Sequence, residues 1–224
     1  MKIIYITILF VLGSCFGSFI NLLGMRIPMK QSIIYPRSHC DSCKKNLTWY
    51  ELLPIVGYLI NLGKCRHCKT TISRYLPLNE LILGASFTFI FINKIDGLFR
   101  IVLLMFLLLF ATMDYFYGII LPIFLIPNFV ILFLLHPQIS LLNCFIFLIC
   151  LSCFSYISKG FGFGDVEILS FLALFLPLYD CLLIILISCL LCLLVELVKQ
   201  NFDYAIHFIP YIYLATTLIL IFCK

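Results

Sequence analysis

The 224-residue chain is 64% hydrophobic and 11% charged, with a mean hydropathy of +1.18. Soluble domains run at about 45–50% apolar and about 25% charged. That balance excludes an ordinary cytosolic fold, a disordered chain and a nucleic-acid reader built on a basic surface, and no nucleic-acid partner is expected. What it describes is an all-α polytopic membrane protein.

The net charge of +5 matters less than its placement. Nine of the fifteen Lys and Arg lie between Arg26 and Arg74, a stretch whose acids are Asp41 and Glu51. By the positive-inside rule this segment faces the cytoplasm, where its cations suit anionic lipid headgroups.

In chain order, Ile3 to Met25 is uncharged and long enough to span a bilayer. It lacks the small-residue cleavage site of a secretory signal peptide. Leu12-Gly13-Ser14-Cys15 is faintly lipoprotein-like, but cleavage there would strand the basic segment outside the cell, so a retained helix is expected. The division is then 1–23 as a first transmembrane helix, 24–77 as a polar cytoplasmic loop and 78–224 as a membrane-embedded core. Further spans are predicted near 78–94, 98–117, 119–135, 139–157, 164–179, 181–198 and 205–223, about eight in all. With the loop inside, Lys159 and Lys199 agree with the orientation, while Lys94 and Arg100 oppose it.

Twelve cysteines divide into two groups. Eight lie in apolar runs, where a thiol is a small hydrophobe. The other four form Cys40-x2-Cys43 and Cys65-x2-Cys68, with 21 residues between the pairs. Two such knuckles bring four thiolates to one tetrahedral zinc. Disulfides are disfavoured in a reducing compartment, and a redox dithiol needs one pair only. His39 and His67 flank the cysteines as substitute ligands, but four cysteines close the site. A closed site has no open position for chemistry, so this zinc is expected to fold the loop. Trp49 and Tyr50 are expected to anchor the loop at the interface.

Three acids sit where acids are expensive. Asp114 follows an uncharged run that starts at Ile101, and Asp165 and Glu167 precede one from Ile168 to Tyr179. Each run is shorter than the roughly 20 residues of a span, so these acids lie at or inside the boundary. A mid-membrane carboxylate costs about 2.5–3.5 kcal/mol, and such a residue is a functional hypothesis by default. The charge-derived orientation puts Asp114 and Asp165 on one side. Two carboxylates sharing a desolvated site can hold one proton between them, activate water and protonate a leaving nitrogen. The plainer alternative makes Asp165 an N-cap after Gly162-Phe163-Gly164, with Glu167 near the positive helix end. Asp114 would then be a wetted boundary residue. GFGFGD is no dinucleotide fingerprint, because no strand–helix unit surrounds it.

With these residues in view, the chain resembles the type IV prepilin peptidases, bacterial membrane aspartyl proteases of the GxGD type. FGSFINLLGMRIP resembles the family's opening, through Gly17, Ser18, Phe19, Asn21, Arg26 and Pro28. The loop is similar through its four cysteines, Trp49, Tyr50, Pro54, Ser73, Arg74 and Glu80; Gly162 to Asp165 matches the GxGD element; and HFIPYIYLA is similar to the last helix. Glu167 stands in place of a common Lys, Pro122 comes eight residues after Asp114 in place of seven, and Asn79 replaces an apolar residue.

The resemblance implies catalytic Asp114 and Asp165, and a prepilin or pseudopilin substrate with a short basic leader, cut at the cytoplasmic face of the bacterial inner membrane. Members with the cysteine loop often also methylate the new amino terminus from S-adenosylmethionine, for which these residues show no donor site. The short, cysteine-rich form looks like the members that process competence pseudopilins. Two rivals remain: a small transporter relaying protons or ions through the acids, and a scaffold using the loop for docking. A transporter commonly shows repeated halves, and none is evident here. A serine or cysteine mechanism is not expected, since neither His136 nor His207 falls near a nucleophile in the predicted topology.

Overall fold

The computed structural model describes residues 2–93, 97–158, 161–199 and 206–222, so Lys94, Lys159 and Cys223 lie outside the described residues. It is helical, and no strands occur among the described residues. The chain forms two compact units, Met1–Gly97 and Leu98–Lys224.

The first unit contains α1 (Lys2–Arg26), the one-turn α2 (Val56–Ile60) and α3 (Tyr75–Asn93). Small residues let α1 and α3 approach closely: a Cβ on Gly13 would sit 2.7 Å from Phe87 Cβ, and one on Gly17 would sit 3.1 Å from Glu80 Cα. Without a hydrophobic drive between helices in lipid, this kind of backbone approach and interhelical hydrogen bonding hold spans together. The polar part is a buried amide pair. Asn79 Nδ2 donates to Asn21 Oδ1 at 3.0 Å, and Asn21 Nδ2 donates to the Leu76 carbonyl at 3.1 Å. Asn79, the departure from an apolar residue, is thus the partner of Asn21.

The loop leaves α1 through Arg26, which is buried. Its guanidinium donates to the carbonyls of Ser32, Ile33 and Pro36 at 3.0–3.2 Å, pinning the chain as it turns away. The loop returns to α3 through Glu80, whose Oε2 accepts the Ile55 N–H at 2.6 Å.

The second unit contains α4 (Gly97–Tyr117), a 3-10 turn (Pro122–Phe124) running into α5 (Leu125–Leu135), α6 (Leu141–Ser158), α7 (Phe163–Phe175), α8 (Leu178–Lys199) and α9 (Ile209–Phe222). In α4 every residue from Leu107 to Asp114 is buried, as are most of α7 and α9. A helix buried all round lies in the middle of its bundle. In α6 only Phe147 is fully buried, so the helix packs on α7 along one side and leaves the other exposed. Helices α4 and α9 run antiparallel and are joined at both ends. Arg100, at the start of α4, donates to the Leu220 carbonyl at 2.5 Å, and Ile209, at the start of α9, donates to Asp114. Arg100 thus sits at the C-terminal end of α9, where a cation is favoured, and its charge is spent inside the protein.

Helices occur at all eight predicted span positions. Five are long and apolar enough to cross a bilayer: Lys2–Arg26, Tyr75–Asn93, Gly97–Tyr117, Leu141–Ser158 and Leu178–Val198. Helix α7 has 13 residues and α9 has 14. At about 1.5 Å per residue each is near 20 Å long, against about 30 Å of hydrocarbon. Both are largely buried in protein, where helix ends need not reach the headgroups. The chain is a multi-pass membrane protein.

Candidate functional site

Asp114 lies one turn before the end of α4 and is 9% exposed, an expensive place for a carboxylate without donors. Oδ2 accepts the Ile209 N–H at 3.3 Å, from the first residue of α9. Oδ1 faces His207 Nδ1 at 3.4 Å. Past α4 the chain reverses at Gly118, where φ is +62° and the N–H closes the helix onto the Asp114 carbonyl at 2.8 Å. The His207 ring lies over this turn, its Cε1 3.5 Å from where a Gly118 Cβ would be.

Asp165 is the third residue of α7. The helix is capped by Gly162, in extended backbone and without a side-chain cap bond, so the N-cap alternative for Asp165 does not hold. The two glycines of the motif each have a steric reason. A Cβ on Gly162 would stand 3.1 Å from Asp165 Oδ2, and a Cβ on Gly164 would overlap Ile120 Cδ1. Gly162 therefore leaves room for the carboxylate, while Gly164 lets α7 start against the chain that follows α4. Asp165 is half-buried, and Gly164 beside it lies against Ile120, six residues after Asp114. Glu167 is half-buried further along the same helix.

In the other unit the loop folds as two similar knuckles. Cys40 N–H donates to the Lys45 carbonyl at 3.0 Å and Lys44 N–H to the Cys40 carbonyl at 2.8 Å; Cys65 with Thr70, and Lys69 with Cys65, repeat these at 2.8 and 3.0 Å. Lys44 and Lys69 sit at matching places with φ of 56° and 61°. The knuckles bring the sulfurs of Cys40, Cys43, Cys65 and Cys68 within 4.8 Å of one another, and all four are free thiols. Across the knuckles, Cys40 lies 3.7 Å from Cys68 and Cys43 lies 4.0 Å from Cys65. This is a donor set for one metal ion. His39 does not join it; its Nδ1 lies 2.9 Å from the Arg37 carbonyl oxygen.

The thiols are unequal. The Cys43 N–H beside Cys40 holds that thiol down at about 6. Cys43 is drawn down by the Lys45 N–H, but burial and the neighbouring thiols prevail and raise it to about 11. Cys68 is lowered by the Thr70 hydroxyl and N–H. Trp49 is 76% exposed beside Tyr50, whose ring carries the Arg66 guanidinium 5.9 Å from its centre. Tyr50, Asn61, Leu62, Lys64, Arg66 and Lys69 line an open concavity next to the cysteines.

Set beside known proteins, residues 11–94 match the Bacterial Peptidase A24 N-terminal domain and residues 101–197 match the Type IV leader peptidase family. The chain belongs to the type IV leader peptidase family. Proteins named prepilin leader peptidase/N-methyltransferase are 44% identical over 84 residues in Myxococcus xanthus, 44% over 82 in Bacillus subtilis and 32% over 115 in Klebsiella pneumoniae. These matches span 38%, 37% and 47% of this chain but 25%, 33% and 50% of the relatives. No solved structure matches the chain. The family resemblance read from the cysteine loop and GFGFGD is thereby established. The sequence places His207 away from any nucleophile, and its contact with Asp114 is what the folded chain adds. His207 lies 93 residues from its partner Asp114, and nothing local to either residue signals the contact.

Proposed function

We propose that this leader peptidase family member is a membrane aspartic endopeptidase that removes the basic leader of a prepilin or pseudopilin at the cytoplasmic face. Asp114 and Asp165 are its catalytic pair. The observation that carries the reading is the placement of these two carboxylates in one unit, Asp114 buried near the end of α4 and Asp165 in the first turn of α7, whose Gly164 packs against Ile120 just after α4. Two acids that share a site cannot both ionise easily, so one is poised as base and its partner as acid. The base takes a proton from water as the oxygen attacks the peptide carbonyl. The acid gives its proton to the departing nitrogen. Neither the transporter nor the scaffold reading has an observation of its own in its favour.

The four cysteines would hold zinc. Sulfurs bonded at about 2.3 Å to a tetrahedral zinc stand about 3.8 Å apart, close to the 3.7 and 4.0 Å found between knuckles. With four protein ligands the ion would supply folding energy to the loop. The exposed Trp49 and the basic concavity support contact with anionic headgroups on the cytoplasmic leaflet of the inner membrane. Methylation of the new amino terminus from S-adenosylmethionine belongs to this proposal through the relatives' names. The concavity's three cations suit a carboxylate or phosphate and repel a sulfonium, so no donor site is assigned there.

The test is cleavage of a membrane-inserted prepilin by wild type, Asp114→Asn and Asp165→Asn at matched expression and metal content. Cleavage by wild type alone is the expected result. Cleavage by both variants would remove the acids from the chemistry.

A further inference from the structure

The paired-aspartate reading leaves open which acid is the base, and the surroundings of the two carboxylates are unequal. Asp165 sits inside its own helix start, beside the Gly162 backbone. Asp114 has a group on each oxygen, and one of them can carry charge: the Ile209 N–H on Oδ2 and the His207 imidazole on Oδ1. His207 is held in place. Its ring rests on the Gly118 turn, and two residues later Ile209 is bonded to the same carboxylate. The two contacts clamp the Asp114 carboxylate between the end of α4 and the start of α9.

We propose that His207 is a positioning residue that keeps Asp114 as the carboxylate, which makes Asp114 the general base and Asp165 the proton-bearing acid. The inference rests on the paired-aspartate reading and assigns the roles within it. A donor on the charged form of an acid favours that form, and a protonated imidazole does so more strongly than a neutral one. Water then gives its proton to Asp114 as its oxygen bonds to the carbonyl carbon. Asp165 protonates the amine nitrogen as the C–N bond breaks. The proton on Asp114 passes back to Asp165, and the products are the leader's carboxyl group and a free amino terminus.

The consequence is an activity window extended to the acid side. An imidazole protonated on both nitrogens puts a positive charge beside Asp114 Oδ1 and resists protonation of that carboxylate. His207 lies beside Asp114, and Asp165 opens α7 in the same unit. Tyr115 on α4, Cys192 and Glu196 on α8 and Tyr211 on α9 interact around Tyr211.

The experiment is the pH dependence of kcat and KM for the full chain in lipid, with wild type, His207→Ala and His207→Gln cutting the same inserted prepilin. For His207→Ala the acid limb of kcat should move up by about 0.5–1 pH unit, a loss of about 3–10-fold at a fixed acid pH, with KM unchanged. His207→Gln, which keeps a donor without a charge, should recover rate near neutral pH but not on the acid side. An Ala profile that coincides with wild type, or shifts the other way, overturns the assignment. So does a uniform loss at every pH that Gln fails to relieve, which is the signature of a packing role. If Asp114→Asn and Asp165→Asn still cut, the paired-aspartate reading fails. If they do not cut while the His207 variants match wild type, only this inference fails.

Discussion

The N–H of Ile55 donates to Glu80 Oε2 at 2.6 Å, and with this bond the cysteine loop is tied to α3. Ile55 has a φ of +62°, an unusual backbone state for a β-branched residue, so a strong acceptor must hold it. Glu80→Leu would leave that N–H unpaired at a part-buried place, a cost of about 1 kcal/mol. The expected outcome is a loop cut by protease at concentrations that spare the wild type. Glu80→Gln, which keeps an acceptor, should fall between the two. Equal protease resistance in all three would show that the loop is held elsewhere.

The glycines of the GFGFGD motif give a second prediction. A methyl at position 164 meets Ile120 Cδ1, with Cγ1 only 3.1 Å away, so Gly164→Ala must push either α7 or Ile120 aside. A displacement near 1 Å at a catalytic group can cost about 100-fold in rate. Gly164→Ala should therefore lower prepilin cleavage by about 10–100-fold. Gly164→Ala combined with Ile120→Ala should recover much of it, because neighbouring sites are coupled. Failure of the second substitution to rescue would place the effect in backbone freedom and not in this contact.

These cases mark what a sequence can carry. Cys40, Cys43, Cys65 and Cys68 were legible because spacing within a knuckle is local, and the repeated turn then brings the pairs together. All eight apolar helices were legible because lipid demands apolar runs. The lengths of α7 and α9 were not, since a helix wrapped in protein escapes the membrane's length requirement. Arg100, which opposed the orientation count, spends its charge on the Leu220 carbonyl, a contact that the sequence did not announce. The Asp114–His207 and Glu80–Ile55 contacts join residues 93 and 25 apart, and only the folded chain brings them together.

Lys44 and Lys69 occupy the left-handed region at the same step of each knuckle. A side chain there costs roughly 1–2 kcal/mol, part of which glycine gives back through its freer unfolded chain. Lys44→Gly and Lys69→Gly should each stabilise the loop by about 0.5–1 kcal/mol. The check is the chelator concentration needed to strip the metal, which should rise for each single variant and further for the pair. A fall in both would mean that the lysine side chains hold the knuckles by contacts that outweigh the strain.

The last prediction concerns how the metal is lost. Thiolates bind metal and thiols do not, so protons compete with the ion. Cys40, held at about 6, is ionised first as pH rises, while Cys43, pushed up to about 11, keeps its proton until the ion displaces it. The sign follows: a depressed thiol contributes to the loaded, folded loop above its pKa and withdraws that contribution as pH falls through it. Metal content should hold near neutral pH and drop as the pH is lowered past about 6, with protons released on reloading. Cys65→Ser, at the buried ligand, should lose metal at every pH and make the loop sensitive to protease. Because the cysteines occupy a closed set with no open position, chelation should slow cleavage no sooner than it makes the loop sensitive to protease. Loss of cleavage before any change in protease sensitivity would instead give the metal a direct part in the reaction.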